Sequence, residues 1–111
     1  MIKYYNKLIR DNIPQIIFSE GKYCITDTLS QEEYIYFLDQ KLNEELNEYH
    51  ESKSIEELAD LLEVIYALVK ARGWSIEQLE SSRLNKAATH GGFERKILLK
   101  AVSTQPISQS E

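Results

Sequence analysis

Cysteine, proline and glycine are all scarce: the 111 residues include one cysteine, two prolines and four glycines. The single cysteine, Cys24, excludes an internal disulfide framework and favours a reducing compartment, so we expect a cytoplasmic protein. No apolar run approaches the roughly 18 residues of a membrane-spanning helix, and we expect neither a membrane partner nor a signal peptide. The composition that remains, with 42% hydrophobic and 28% charged residues, is typical of a globular domain. We expect this domain over residues 1–102 and a flexible polar tail over residues 103–111.

Charge is unevenly distributed along the chain. The formal net charge is −5, from 13 basic and 18 acidic residues, and residues 31–63 hold eleven of the acidic residues but only two of the basic ones. An acidic middle between basic flanks indicates a cation site next to a surface that binds anions. No basic stripe stands clear of the acidic residues, which argues against duplex nucleic acid as a partner.

Three Ser-x-x-Glu/Gln sequences mark the starts of three helices. Each is a capping box, in which a serine accepts a backbone N–H hydrogen bond while the acid or amide three residues later bonds back. They begin at Ser30, Ser54 and Ser75, and Gly73 is placed to end the second helix. The predicted helices cover residues 31–51, 55–72 and 76–89.

The connections between these helices indicate how they pack. Both are only three residues long, which favours antiparallel neighbours. Helix 55–72 is apolar around most of its circumference, which predicts a central position in a bundle that other copies complete. A short helix over 13–19 precedes it, and the strand-forming stretches 23–26 and 97–102 could pair. We therefore predict an all-α fold, an antiparallel helical bundle completed as a homodimer or homotetramer, with a small terminal β-ribbon.

Four carboxylates lie near the apolar packing faces of the two long helices. Glu45 follows Leu38 by seven residues, about 20° around the helix axis, so it points in the same direction as the apolar side chains. Glu48 lies almost one turn further along, and Glu57 and Asp60 form a similar pair on the next helix. Buried like charges cost several kcal/mol each unless they are neutralised. A hard divalent cation, Mg²⁺ or Mn²⁺, prefers such oxygen ligands.

Simpler explanations exist for each acidic residue taken singly. Glu57 is also the third residue of a capping box, so capping alone could account for it. Glu44, Glu48 and Glu51 could form a solvated helix face, in which case the chain is a structural helical dimer without a metal. The combination of two acid pairs across a tight helical turn is rarer by chance than either pair alone, and it favours the metal site.

Several segments resemble a known enzyme family. Residues 41–48 (KLNEELNE) and 56–63 (EELADLLE) are similar to the EExxE…ExxD pattern of the all-α nucleoside triphosphate pyrophosphohydrolases. That superfamily includes MazG-like enzymes, dimeric dUTPases and phosphoribosyl-ATP pyrophosphohydrolases. Residues 5–14 (YNKLIRDNIP) and 86–96 extend the likeness to a small MazG-like subgroup labelled phosphoribosyl-ATP pyrophosphohydrolase-like. The resemblance covers residues 4–99.

The resemblance implies a function and assigns residues to it. The catalytic metal ligands would be Glu45, Glu48, Glu57 and Asp60, holding Mg²⁺ or, as a substitute, Mn²⁺. Water would attack the α-phosphorus of a nucleoside triphosphate, releasing the monophosphate and pyrophosphate, with a house-cleaning role against non-standard nucleotides. Phosphoribosyl-ATP hydrolysis and a non-catalytic nucleotide-binding role are the alternatives. The residues favoured for contact with the phosphates, against a reading as solvated surface, are Lys7, Arg10, Lys86 and Arg95.

Overall fold

All regular structure in the described part of the chain is helical. The computed structural model describes residues 1–108 and contains four helices there: α1 (Ile13–Ser19), α2 (Gln31–Ser52), α3 (Ile55–Ala71) and α4 (Ile76–His90). The predicted all-α class and the four predicted helices are confirmed, with bounds that differ by one residue at most. Within residues 1–108, no helix is both long enough and apolar enough to cross a membrane.

Helices α2 and α3 pack against each other as an antiparallel hairpin. Lys53 ends α2 in the left-handed region, with φ of 57°, and Ser54 begins α3 immediately afterwards. At the opposite end, Gln31 Nε2 donates a hydrogen bond to the Ala71 carbonyl oxygen over 2.9 Å, which joins the start of α2 to the end of α3. This hairpin carries the candidate site.

The helix ends follow the predicted capping chemistry at two of the three starts. Ser30 and Glu33 form a reciprocal capping box at α2, and Ser75 and Gln78 do the same at α4. The end of α3 is a Schellman motif, in which Gly73 N–H bonds to the carbonyl of Lys70 over 3.0 Å and the next N–H bonds to that of Val69 over 2.9 Å. Gly73 has φ of +91°, a conformation that side chains other than glycine rarely adopt.

The chain separates into two compact units, Met1–Leu79 and Glu80–Glu111. In the first unit, the buried hydrophobic side chains are Leu38 on α2 and Val64 and Val69 on α3. The predicted central helix is therefore buried along part of its circumference only, because Ile55, Leu58 and Leu62 of α3 are exposed.

The second unit consists of most of α4 and the segment that follows it. The described residues 80–108 are all exposed, and those after His90 form neither helix nor strand. An ion pair between Arg83 and Glu80 lies along α4. The predicted flexible tail begins inside this segment, and its last three residues, 109–111, lie outside the described part of the chain.

The predicted β-ribbon is wrong for the described residues. Neither 23–26 nor 97–102 forms a strand, and Tyr23, Ile25 and Leu98 are each more than 80% exposed. Strand propensity depends on a partner and on burial of one face, and a lone two-stranded ribbon is marginal in water. These apolar side chains obtain no such burial in the single chain.

Candidate metal centre

The hairpin brings three carboxylates together. Glu45 comes from the second half of α2, and Glu57 and Asp60 come from the first two turns of α3. One oxygen of each carboxylate lies within 4.8 Å of the others. The tight turn at residues 53–54 produces this convergence, since it places the end of α2 beside the start of α3.

Glu48 is the fourth acidic neighbour at this position. After burial, the neighbouring Glu48 carboxyl is the next cause that raises the pKa of both Glu45 and Glu57. The structure therefore brings three of the four predicted acidic residues, Glu45, Glu57 and Asp60, within 4.8 Å of one another, and Glu48 is close enough to two of them to affect their pKa. Their role as metal ligands stays a prediction.

Glu45 is the most buried member of the group. The whole residue is only 6% exposed, and its Oε1 lies 3.5 Å from Lys41 Nζ. Within residues 1–108, no donor contacts Glu45 Oε2 or Glu57 Oε2, although both atoms are buried. A buried carboxylate oxygen without a donor or a cation is unfavourable, so these two atoms are the best candidates for metal ligation.

Burial and crowding shift the acidity of these groups upward. Burial is the first cause for both, followed by Glu48, and the pKa of Glu45 and of Glu57 lies above the ordinary 4.5. The folded protein therefore binds protons that the unfolded chain releases. Their contribution to stability is fully present below pH 4.5 and is lost as pH rises through the raised pKa values.

The capping explanation for Glu57 does not hold in the structure. Ser54 makes no side-chain capping hydrogen bond at the start of α3, and its hydroxyl instead lies 3.1 Å from that of Ser52. The Ser54 N–H also bonds to Ser52 rather than to the Glu57 carboxylate. Glu57 is thus left to face the other carboxylates.

Of the acids proposed for a solvated face, Glu51 is exposed, whereas Glu44 and Glu48 are half-buried.

Cationic side chains lie along one side of the acidic group. Arg10 Nη2 lies 2.7 Å from Asp60 Oδ1. Lys7 and Lys41 both pair with Glu44, over 3.3 and 3.2 Å. Burial alone would raise the Glu44 pKa, but the two lysines outweigh it and hold that pKa below its ordinary value. Two of the four basic residues predicted to contact phosphates, Lys7 and Arg10, therefore lie at the acidic group or next to it.

Lys41 is the residue that the sequence reasoning did not assign to the site. Its side chain is 16% exposed and bridges Glu44 and Glu45. The signal was present, because a lysine three and four residues before a pair of acids lies on the same helix face. It is also the only lysine or arginine of α2.

A cavity of about 570 Å³ adjoins the acidic group. The segment 8–16 closes one side of it, and α2 and α3 form the other side. Arg10, Lys41, Glu45 and Asp60 contribute to its charged part. Its apolar walls include Ile13, Ile16, Tyr34, Leu38, Val64 and Ala67. The volume is within the range of small-molecule sites, about 300–1,000 Å³.

The remaining predicted residues belong to the second unit. Lys86 lies on α4 and Arg95 in the segment after it, and both are exposed. Their contact with phosphates stays a prediction.

Comparison with protein-family models, with curated proteins and with solved structures finds no match to this chain. The resemblance to the all-α pyrophosphohydrolases therefore depends on the sequence motifs, and what can be said of function depends on the geometry of the acidic group.

Proposed function

We propose that this chain is a cytoplasmic, Mg²⁺-dependent nucleoside triphosphate pyrophosphohydrolase. The observation that carries the proposal is Glu45, a residue only 6% exposed, with one oxygen that no donor contacts within residues 1–108 and two further carboxylates within 4.8 Å. Such a group calls for a cation, and carboxylate oxygens are the ligands that Mg²⁺ and Mn²⁺ prefer.

The neighbouring basic residues do not replace that cation. Lys41 contacts one oxygen of Glu45 but also serves Glu44, and Arg10 reaches Asp60 alone. Burial, and after it the neighbouring carboxyls, raise the pKa of Glu45 and Glu57 despite these two bases. A divalent ion held by Glu45, Glu48, Glu57 and Asp60 would complete the neutralisation.

The proposed reaction cleaves the bond between the α-phosphorus and the bridging oxygen of the triphosphate. Water adds its oxygen to the α-phosphorus, pyrophosphate leaves, and the products are a nucleoside monophosphate and pyrophosphate. When bound, Mg²⁺ would neutralise phosphate charge and lower the pKa of water. Among the described residues 1–108, no serine, cysteine or histidine lines the cavity, which suits a reaction with water as the nucleophile. Lys7 and Arg10 would orient the phosphates.

The cavity is suited to the nucleoside part of such a substrate. It shares Glu45 and Asp60 with the acidic group, so a ligand whose phosphates reach the metal would extend toward the apolar walls. Those walls would cover the faces of a base rather than read its edges. A tolerant choice of base fits a house-cleaning role.

We also propose that two or more copies of the chain form the functional bundle. The exposed side chains Ile55, Leu58 and Leu62 lie on one stripe of α3, and Leu46 of α2 is 41% exposed. A two-helix hairpin cannot enclose these residues by itself, and a second hairpin would supply the missing layer of a four-helix bundle.

Pyrophosphate release tests the proposed function. The assay uses the purified chain with Mg²⁺ and a panel of common, oxidised, deaminated and methylated nucleoside triphosphates, together with phosphoribosyl-ATP. We expect equal amounts of monophosphate and pyrophosphate from at least one nucleoside triphosphate, loss of activity in EDTA, and loss in Glu57→Gln. Glu51→Gln, which removes an exposed charge at the same end of the α2–α3 hairpin, is the control and should retain activity.

The other outcomes separate the alternatives. Turnover of phosphoribosyl-ATP alone would favour that activity, and nucleotide binding without turnover would favour a sensor. Release of orthophosphate instead of pyrophosphate would contradict attack at the α-phosphorus.

A further inference from the structure

Arg10 occupies a position where a cation is already required. Its guanidinium lies 2.7 Å from Asp60 Oδ1, and Asp60 is one of the three carboxylates that converge within 4.8 Å. The contact joins residues fifty positions apart in sequence, so it holds the N-terminal segment onto α3. Arg10 thus connects the acidic group to the segment that closes one side of the cavity.

We propose that Arg10 competes with the metal for Asp60, and that it transfers to a substrate phosphate when metal and polyphosphate bind. This inference rests on the proposed function, since it needs both the metal and the phosphates. It adds a specific order of contacts that the metal site alone does not imply.

The strength of the Arg10–Asp60 contact suits such an exchange. The Arg10 side chain is 56% exposed and that of Asp60 is 39% exposed. Ion pairs with this much solvent contact are weak, and a divalent ion that neutralises Asp60 would weaken the attraction further. Arg10 lies just before α1, outside any helix, so its backbone is not fixed by a helical hydrogen-bond ladder.

The chemistry of the Arg10 guanidinium also suits an exchange from a carboxylate to a phosphate. A guanidinium has a planar array of donors that fits phosphate oxygens as well as carboxylate oxygens, and it keeps its charge at any relevant pH. After exchange, Arg10 would neutralise a phosphate at the mouth of the cavity that it already lines. Metal and substrate would then support each other, because the metal releases the arginine that the phosphates require.

Metal affinity in the absence of any nucleotide tests the exchange. Mn²⁺ alone is titrated by calorimetry into the wild type, Arg10→Ala and a control, Arg72→Ala. Arg72 pairs with Asp39 at the other end of the hairpin, over 3.5 Å and with similar exposure, so its removal changes net charge equally without touching the acidic group. We expect Mn²⁺ to bind Arg10→Ala about two- to fivefold more tightly than the wild type, the equivalent of one weak ion pair, and Arg72→Ala to match the wild type.

A second titration uses a non-hydrolysable triphosphate analogue with Mn²⁺ present. In this titration Arg10→Ala should be the weaker binder. We expect it to bind the analogue about tenfold or more weakly than the wild type does, because a charge-assisted contact with a phosphate is lost.

Three results would overturn the inference. Unchanged Mn²⁺ affinity in Arg10→Ala would mean that the arginine does not compete with the metal. Weaker Mn²⁺ binding would make Arg10 an outer partner that holds Asp60 in its ligating position. A wild type that binds no Mn²⁺ at all would remove the proposed function as well, whereas the first two results leave it standing.

Discussion

Replacing Glu45 by glutamine should have opposite effects on stability without and with a metal. The change keeps the shape of the side chain and removes one charge from a position only 6% exposed. It also replaces the orphan oxygen by an amide that can donate to the neighbouring carboxylates. Leaving such a buried group unsatisfied costs about 1–3 kcal/mol. Since the contact with Lys41 at 3.5 Å is weakened at the same time, we expect a net gain of about 1 kcal/mol in the metal-free protein.

With the metal bound, the wild type should be more stable than Glu45→Gln. At a Mn²⁺ concentration one hundred times the dissociation constant, binding stabilises the wild type by about 2.7 kcal/mol. Loss of a carboxylate ligand should weaken binding about a hundredfold, so the same concentration stabilises Glu45→Gln by only about 0.4 kcal/mol. The variant should therefore unfold later than the wild type in EDTA and earlier in Mn²⁺. For a chain of this size, each kcal/mol corresponds to roughly 4 °C in Tm.

Thermal unfolding followed by circular dichroism at fixed protein concentration measures the Tm of the wild type and of Glu45→Gln, once in EDTA and once in Mn²⁺. Glu51→Gln is the matched control, because Glu51 is an exposed acid near the end of the same helix, and it should leave both melting temperatures within a degree or two. If Glu45→Gln lowered the Tm in EDTA and left the response to Mn²⁺ unchanged, Glu45 would be a structural acid satisfied by Lys41. The metal site would then have to be abandoned.

Three further predictions concern pH, the cavity and assembly. The gap in metal-free Tm between Glu45→Gln and the wild type should widen as pH rises above 4.5, because burial and the neighbouring Glu48 raise the pKa of the Glu45 carboxyl in the folded protein, and a gap that stays constant with pH would refute the raised pKa. Ala67→Leu, which fills the cavity, should weaken binding of the nucleotide analogue about tenfold while leaving Mn²⁺ affinity unchanged, and Ala59→Leu on the exposed side of α3 should change neither. Light scattering should give at least twice the chain mass for the wild type and the single-chain mass for the double variant Leu58→Lys and Leu62→Lys, whereas a monomeric wild type would contradict the proposed assembly.

The helices were predictable because their signals are local. Ser30 and Ser75 begin helices through capping boxes whose two partners are three residues apart, and Gly73 ends α3 through hydrogen bonds to residues within the same turn. The acidic group was predictable for a related reason. Once a two-residue connection folds α2 back on α3, helical spacing alone places Glu45 near Glu57 and Asp60.

What could not be predicted depends on contacts between distant residues. The pairing of Arg10 with Asp60 joins segments fifty residues apart, and no local pattern specifies it. The prediction of a β-ribbon was wrong for the same reason. Residues 23–26 and 97–102 have strand propensity, but neither segment forms a strand or has a buried face. Lys41 is an intermediate case, because its spacing to Glu45 was visible but its burial between two acids depends on α3 and the N-terminal segment.

The same hairpin leaves both a charge and an apolar surface uncompensated. Its acidic group has too few bases, and its buried hydrophobic side chains in the first unit are only Leu38, Val64 and Val69, while Leu58 and Leu62 remain in water. A metal would correct the first deficiency and a second copy the second, and both would act through the packing of α2 against α3. Because each event stabilises the same folded hairpin relative to the unfolded chain, each should raise the apparent affinity of the other wherever the hairpin is only partly formed. The proposed metal binding and the proposed assembly would then be linked, and Mn²⁺ should shift a dilute sample toward the larger species.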